Sequence, residues 1–221
     1  MVWLDRINQD NTTPALGQIN ATNPCGEQPL LSGESCNLGS INLSKFISSE
    51  DEWSLPVFDE NEFARVINLA DRFLDNVVDA NQHPTDFTQN MNRTTRKVGL
   101  GIMGFADALV AMGLPYGSSE ALKFADRVGE LMKEVADEAS ASIGKEKGNF
   151  PAFDESTLNV KNGGKWEHMR NAWRLSIAPT GTISMIANCS SGIEPLFALS
   201  YKKHNMSAAR VSYTHLTLPT N

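Results

Sequence analysis

After Asp59, apolar residues fall at Phe63, Val66, Ile67, Ala70, Phe73, Leu74, Val77 and Val78, the one-face spacing of an amphipathic helix over about 60–80. Asp59 with Glu62 three residues on resembles a capping box and would set its start. A longer stripe runs through Ala121, Phe124, Ala125, Val128, Leu131, Met132, Val135, Ala139 and Ile143. Ser118 or Ser119 can cap it, and Gly144 or Gly148 can end it. At about 1.5 Å per residue that helix is roughly 39 Å long, which suits the outside of a large domain. A shorter helix is expected from Gly101 or Ile102 to Gly113, with Pro115 as the stop signal.

Between these periodic stretches lie short apolar segments suited to strands: Cys36 to Leu43, Val98 to Gly101, and Arg174 to Ala178. Strands alternating with helices predict an α/β architecture with a mainly parallel sheet. Glu146 to Gly164, rich in Gly, Asn, Lys and Pro, reads as a surface loop holding at most a short turn. The tryptophans and the helix stripes read as core. The string VSYTHLTLPTN, residues 211–221, breaks the pattern. It resembles a translated sequencing-adapter tail, the alternative being a genuine strand.

Composition narrows the class. The chain has 221 residues, 41% hydrophobic and 20% charged, with no apolar run near the roughly 20 residues of a membrane span. Met1 to Asp10 alternates apolar and polar residues and lacks the pattern of a secretory signal, so a cytoplasmic location is expected. A net charge of −7 without a basic block argues against binding nucleic acid through its phosphates. A small anion remains open, because a few backbone N–H groups can hold a phosphate. The three cysteines, Cys25, Cys36 and Cys189, are odd in number and form no C-x-x-C pair, and the four histidines are not at metal-ligand spacing from them. Neither a disulfide framework nor a metal site is expected, and reactive thiols gain weight. Cys189 reads as a small buried residue.

The densest chemistry lies in TNPCGEQPLLSGESCNLGSINL, Thr22 to Leu43. Asn23, Cys25 and Glu27 alternate around Pro24 and Gly26, and in an extended loop that spacing sets the three side chains on one side. They would unite a nucleophile or radical carrier, a general base and an amide. A cysteine hydrolase fits poorly, since no histidine lies near Cys25 in sequence, and a structural cysteine in a turn stays open. A second stretch, LSIAPTGTISMIANCSSGIEP, Leu175 to Pro195, passes through a Gly-containing turn into Thr182, Ile183 and Ser184, where a helix can begin. Such a turn exposes unpaired N–H groups to an anion, though an ordinary capped turn has the same composition. In RKVGLGIMGFADAL, Arg96 to Leu109, Gly99, Gly101 and Gly104 read as close helix-to-strand packing rather than a dinucleotide loop.

NPCGE followed by ESCNLGSINL resembles the finger loop and following strand of ribonucleotide reductases, and PTGTIS and SSGIEP are typical of the same family. The likeness runs from Met1 to about Lys203, and its form is most similar to the adenosylcobalamin-dependent group. It implies that residues 1–210 are the C-terminal portion of a ten-stranded α/β barrel with a central finger loop. It implies that Cys25 becomes a thiyl radical that removes the 3′ hydrogen of a ribonucleotide, while Asn23 and Glu27 bind the ribose hydroxyls and Glu27 acts as base. Cys36 matches one of two thiols that reduce the substrate. Thr180, Gly181, Thr182, Ile183 and Ser184 match the loop that holds the substrate's phosphates.

The resemblance further implies a ribonucleoside di- or triphosphate substrate, a thioredoxin-like reductant and a homodimeric parent. No cysteine precedes Cys25 to pair with Cys36, so the chain is expected to be a fragment, inactive alone. The alternatives are the large subunit of a metal-radical reductase, or a phosphate-binding module without chemistry in which Cys25 is structural.

Overall fold

A computed structural model describes residues 2–49, 55–196 and 198, with the backbone of two strands at 200–204 and 210–214. The chain opens with helix α1 (Leu4–Gln9), a hairpin of strands β1 (Ala21–Thr22) and β2 (Pro29–Leu30), and strand β3 (Asn37–Asn42). A short ribbon of β4 (Ile47–Ser48) and β5 (Val57–Phe58) precedes helices α2 (Glu60–Ala80) and α3 (Asp86–Thr95). Then come β6 (Val98–Met103), α4 (Phe105–Ala111), the long α5 (Ser119–Lys147) and the four-residue α6 (Ile183–Ile186). Strands β7 (Ser200–His204) and β8 (Arg210–Thr214) close the order as an antiparallel pair. The first residues of the 211–221 stretch thus lie in β8, and 215–221 fall outside the described residues.

The α/β expectation holds at its centre. Strands β3 and β6 pair in parallel, Asn37 opposite Val98 through Asn42 opposite Met103, with α2 and α3 in the crossover. Every residue of β6 is buried, as befits a parallel strand covered on both faces. No described sheet has more than two strands, so the structure shows no closed barrel. The strand expected at Arg174–Ala178 is reduced to a single bridge, Leu100 with Leu175. Leu100 N–H donates to Arg174 O at 2.8 Å and Ser176 N–H to Leu100 O at 3.0 Å. Beyond that point Ser176 O crosses where a Cβ of Gly101 would stand, which takes the chain out of the sheet.

Strand β6 also runs further than expected, because Ile102 and Met103 pair with Ile41 and Asn42. Gly104, at φ +73°, turns the backbone, and α4 starts only at Phe105. The two long helices match their stripes better. Asp59 accepts from Glu62 N–H at 2.9 Å, although the Glu62 carboxylate pairs with Arg65 instead of returning the bond. Ser118 caps α5 through Ala121 N–H, and Gly148 rather than Gly144 ends it. Gly144 lies inside the helix, where the backbone of Met169 and Arg170 packs against it.

Three expectations fail for packing reasons. Phe73, assigned to the buried stripe of α2, is 65% exposed, while Asp71 and Asp75 on the same helix are buried. The face of α2 is turned so that Asp75 meets Arg96 and Arg170 rather than to maximise apolar contact. The 146–164 segment is not merely surface: α5 continues to Lys147, and Phe150 and Phe153 form a second small core with Met169 and Ala172. Trp3 is exposed, Trp166 and Trp173 are half-buried, and Trp53 lies outside the described residues. Helices α1 and α3 carry no apolar stripe long enough to announce them, and Thr85 caps α3 by accepting from Thr88 N–H. No helix among the described residues is long and apolar enough to cross a membrane.

The main core joins both strands to α2, α4 and α5 through Phe63, Ile67, Leu74, Leu100, Ile102 and Val128, among others. Within it Asp71 has neither carboxylate oxygen hydrogen-bonded among the described residues. Burial pushes its pKa up to about 8, opposed by Arg174 and reinforced by Asp137. The folded chain therefore keeps a proton that the unfolded chain loses in the ordinary carboxylate range. Stability falls as pH rises through the window between those two values and levels off above about 8. Asp71→Asn should remove this slope: thermal melting should rise by about 5 °C at pH 8 and change little near pH 4. Equal effects at both pH values would show that Asp71 is not the titrating group.

Candidate active site

The hairpin of β1 and β2 is closed by its own backbone. Asn23 N–H donates to Gln28 O at 3.1 Å, and Asn23 Oδ1 accepts from Gln28 N–H at 3.0 Å. Inside this frame Gly26 N–H donates to Asn23 O, and Gly26 takes φ +88°, a conformation that suits glycine. Asn23 to Gly26 is therefore a tight turn rather than the extended loop expected. Cys25 sits exposed at its tip as a free thiol, and Glu27 turns inward. Glu27 Oε2 is buried without a hydrogen-bond partner among the described residues. The Asn23 carbonyl is committed to the turn, so its NH₂ group is the part left to meet a ligand.

The second thiol lies one residue before β3. Cys36 Sγ donates to Asn37 O at 3.6 Å, and burial pushes the thiol up to about 12. Lys97 works against that rise, while Glu34 and Glu27 add to it. Ser176 Oγ donates to Glu27 O at 3.0 Å, which ties the hairpin to the segment beside β6. Gly99 makes the convergence possible. A Cβ there would stand 2.6 Å from Leu38, 2.8 Å from Ser176 Cβ and 3.1 Å from Cys36 Sγ. A cleft lined by Asn23, Pro24, Leu31, Glu34, Cys36 and Leu38 opens beside the hairpin.

The third element is Pro179 to Ser184. Thr180 is buried at φ +53°, and its hydroxyl accepts from Gly192 N–H at 2.7 Å. Ser184, also buried, shares a hydrogen bond with Ser191 at 3.0 Å. These two side chains hold the loop's shape, while Gly181, Thr182 and Ile183 are exposed. Among the described residues the N–H groups of these three find no acceptor. The SSGIEP segment anchors the loop to the β6–α4 junction: Gly104 N–H donates to Ser190 O at 2.8 Å, and Ser190 N–H to Asp107. Cys189, 1% exposed, packs beneath as expected of a small buried residue.

A free thiol at the tip of a hairpin and a second one just before a parallel strand are the candidate reactive groups of this α/β protein. The chain belongs to the family described as the ribonucleotide reductase barrel domain, whose family model it matches over residues 1–220. It is 45% identical over 208 residues to a vitamin B12-dependent ribonucleoside-diphosphate reductase of Thermoplasma acidophilum, covering 92% of this chain and 25% of that protein. Identity to the protein of that name from Mycobacterium tuberculosis is 44% over 204 residues, covering 92% and 28%. A ribonucleoside-diphosphate reductase subunit alpha of Chlamydia pneumoniae is 33% identical over 239 residues, covering 91% and 22%. The chain thus spans about a quarter of the length of the curated relatives it matches.

Sequence reasoning missed Ser176, Lys97 and Glu34. The signal for the last two was a charge at the threshold of each strand, Lys97 before β6 and Glu34 two residues before Cys36. The glycine reading is testable by contrast. Gly101→Ala should destabilise the chain by about 1–3 kcal/mol, because its Cβ meets the Ser176 backbone carbonyl. Gly181→Ala, with open space around it, should stay within about 0.5 kcal/mol. Urea unfolding of the two variants decides, and equal losses would refute the packing assignment.

Proposed function

We propose that this chain carries the thiol-bearing part of the active site of an adenosylcobalamin-dependent ribonucleotide reductase acting on ribonucleoside diphosphates. The observation that carries the reading is the hairpin, which displays Cys25 in the open while Glu27 keeps a buried carboxylate oxygen without a hydrogen-bond partner among the described residues. A ligand hydroxyl would satisfy that oxygen. In this reading β3, β6 and the 174–176 segment are neighbouring staves of the ten-stranded barrel, and β1 and β2 form its finger loop.

An exposed thiol suits a cofactor that takes a hydrogen atom from it, and Cys25 is the residue that would meet that chemistry. When bound, adenosylcobalamin supplies radical chemistry. The higher identity to the B12-dependent relatives than to the subunit alpha relative supports this cofactor over a separate metal-radical subunit.

The chain's own residues would then act in order. Cys25, as a thiyl, takes the hydrogen atom from C3′ of the ribose. Glu27 takes the 3′-OH proton, and the Asn23 NH₂ group orients the ribose hydroxyls. The 2′-OH leaves as water with a proton from Cys36, whose buried thiol carries its proton at neutral pH. A second thiol of the parent gives its hydrogen to C2′ and joins Cys36 in a disulfide, the remaining electron goes to the 3′ ketone as Glu27 returns its proton to that oxygen, and Cys25 returns the hydrogen atom to C3′. The substrate's phosphates would lie on the N–H groups of Gly181, Thr182 and Ile183, in a loop that Thr180 and Ser184 hold in shape. A thioredoxin-like reductant and a homodimeric parent complete the reading on resemblance.

The test is a full-length reductase carrying this chain, given substrate tritiated at C3′ and followed for tritium release and free base. Cys25→Ser should abolish both signals, because an O–H bond is too strong to relay the radical. Cys36→Ser should keep tritium release and divert the nucleotide radical to base loss. Glu27→Gln should slow water loss by about 10²- to 10⁴-fold. Equal loss of both signals in the two cysteine variants would overturn the roles assigned to them.

A further inference from the structure

Cys36 stands one residue before β3 and Lys97 one residue before β6, and the parallel register sets them side by side at the entrance of the pair. Lys97 is 4% exposed, and its ammonium meets Glu34 Oε2 at 2.7 Å. The same oxygen accepts from Leu31 N–H at 2.6 Å, while Glu34 N–H donates to Leu31 O at 3.1 Å. One carboxylate therefore closes the turn that carries the chain from the hairpin to Cys36. Glu34 Oε1 is buried without a hydrogen-bond partner among the described residues. Burying an ion pair costs solvation that its attraction returns only in good geometry, and two apolar side chains could pack the same space. Packing alone does not account for the pair.

We propose that Lys97 and Glu34 are positioning residues for Cys36: they hold its thiol at the mouth of β3 and set, from opposite signs of charge, how readily it gives up a proton. The charged groups acting on the thiol are Lys97 from the β6 side, Glu34 from the preceding turn and Glu27 from the hairpin. Burial raises the thiol's pKa most; Lys97 is the largest of the opposing or reinforcing charges and lowers it, and both carboxylates raise it. Lys97 thus keeps within reach the proton that a departing hydroxyl would need. The purpose of the device rests on the redox role proposed for Cys36, but its geometry and its test do not.

The test is alkylation of the full chain by iodoacetamide at pH values of about 8 to 10, with each cysteine followed by mass spectrometry. In the parent sequence exposed Cys25 should react first, with Cys36 and buried Cys189 well behind. Lys97→Met should slow Cys36 by about tenfold at fixed pH, and Glu34→Gln should speed it by a similar factor, with Cys25 unchanged in both. Lys97→Arg should restore the parent rate. A clamp with no electrostatic role would loosen in either variant and speed Cys36 in both, so changes of the same sign, or none, overturn the proposal. So does parent Cys36 reacting as fast as Cys25. If Lys97→Met unfolds, Cys189 will react at the Cys25 rate, and Glu34→Gln then decides alone: no acceleration of Cys36 with Cys189 still protected refutes the proposal. A reductase assay that fails while these rates move as expected would count against the proposed function only.

Discussion

The carboxylate of Asp75 is the interaction on which the arrangement of strands and site depends. It has no exposed surface, and it accepts from Arg96 Nε and Nη2, Arg170 Nε and Asn171 Nδ2. A buried carboxylate is tolerable only when paired and hydrogen-bonded in this way. Its partners come from different parts of the chain. Arg96, held at φ +49°, begins the approach to β6, while Arg170 and Asn171 begin the approach to the 174–176 segment. Asn171 Nδ2 also donates to Arg96 O, which locks the two approaches together. One side chain on α2 thereby sets where both segments run, and so where Lys97, Gly99, Ser176 and Cys36 meet.

This hub also explains which parts of the fold were legible in the sequence. The long helices were, because α2 and α5 bury enough apolar residues on one face for period alone to show them, and their caps stand in the expected places. The orientation of α2 was not. Hydrophobic spacing counts Phe73 as core and Asp71 and Asp75 as surface, whereas the guanidinium groups of Arg96 and Arg170 draw Asp75 inward. Those arginines lie far from α2 in sequence, so no local pattern could predict the inversion. Helix α3 was invisible for a related reason: its buried residues are polar, and they hold the fold through hydrogen bonds from Ser35 to the Asn92 side chain and from Ala172 N–H to Thr95 O. The end of β6 was misjudged because a run of small residues reads equally as strand or helix start until Gly104 is seen to turn.

The candidate site was legible where its chemistry is concentrated in one short stretch. Cys25, Glu27, Asn23 and Cys36 stand close enough along the chain to be read as a group, and the hairpin turns that proximity into a tip, a buried carboxylate and a neighbouring strand. The supports of the group were not legible, since Ser176 lies 149 residues from Glu27 along the chain and Lys97 63 from Glu34. The glycines of the RKVGLGIMGFADAL stretch show the same division. Their packing role could be inferred from context, but only the crossing of Ser176 over Gly101 shows that one backbone must pass directly over another.

Thr180 gives the loop at 180–184 a different character from the hairpin. A residue other than glycine at φ +53° is strained by roughly 1–2 kcal/mol, and the bonds from Gly192 N–H to its hydroxyl and from Ser184 N–H to its carbonyl hold it there. That strain is settled when the chain folds, before any visitor arrives. If the exposed residues beside it hold an anion, as proposed above, that anion would lose its own freedom but would not have to order the loop as well. Such a surface would discriminate by shape rather than by adaptation: it would accept quickly what fits and gain little by yielding to what does not.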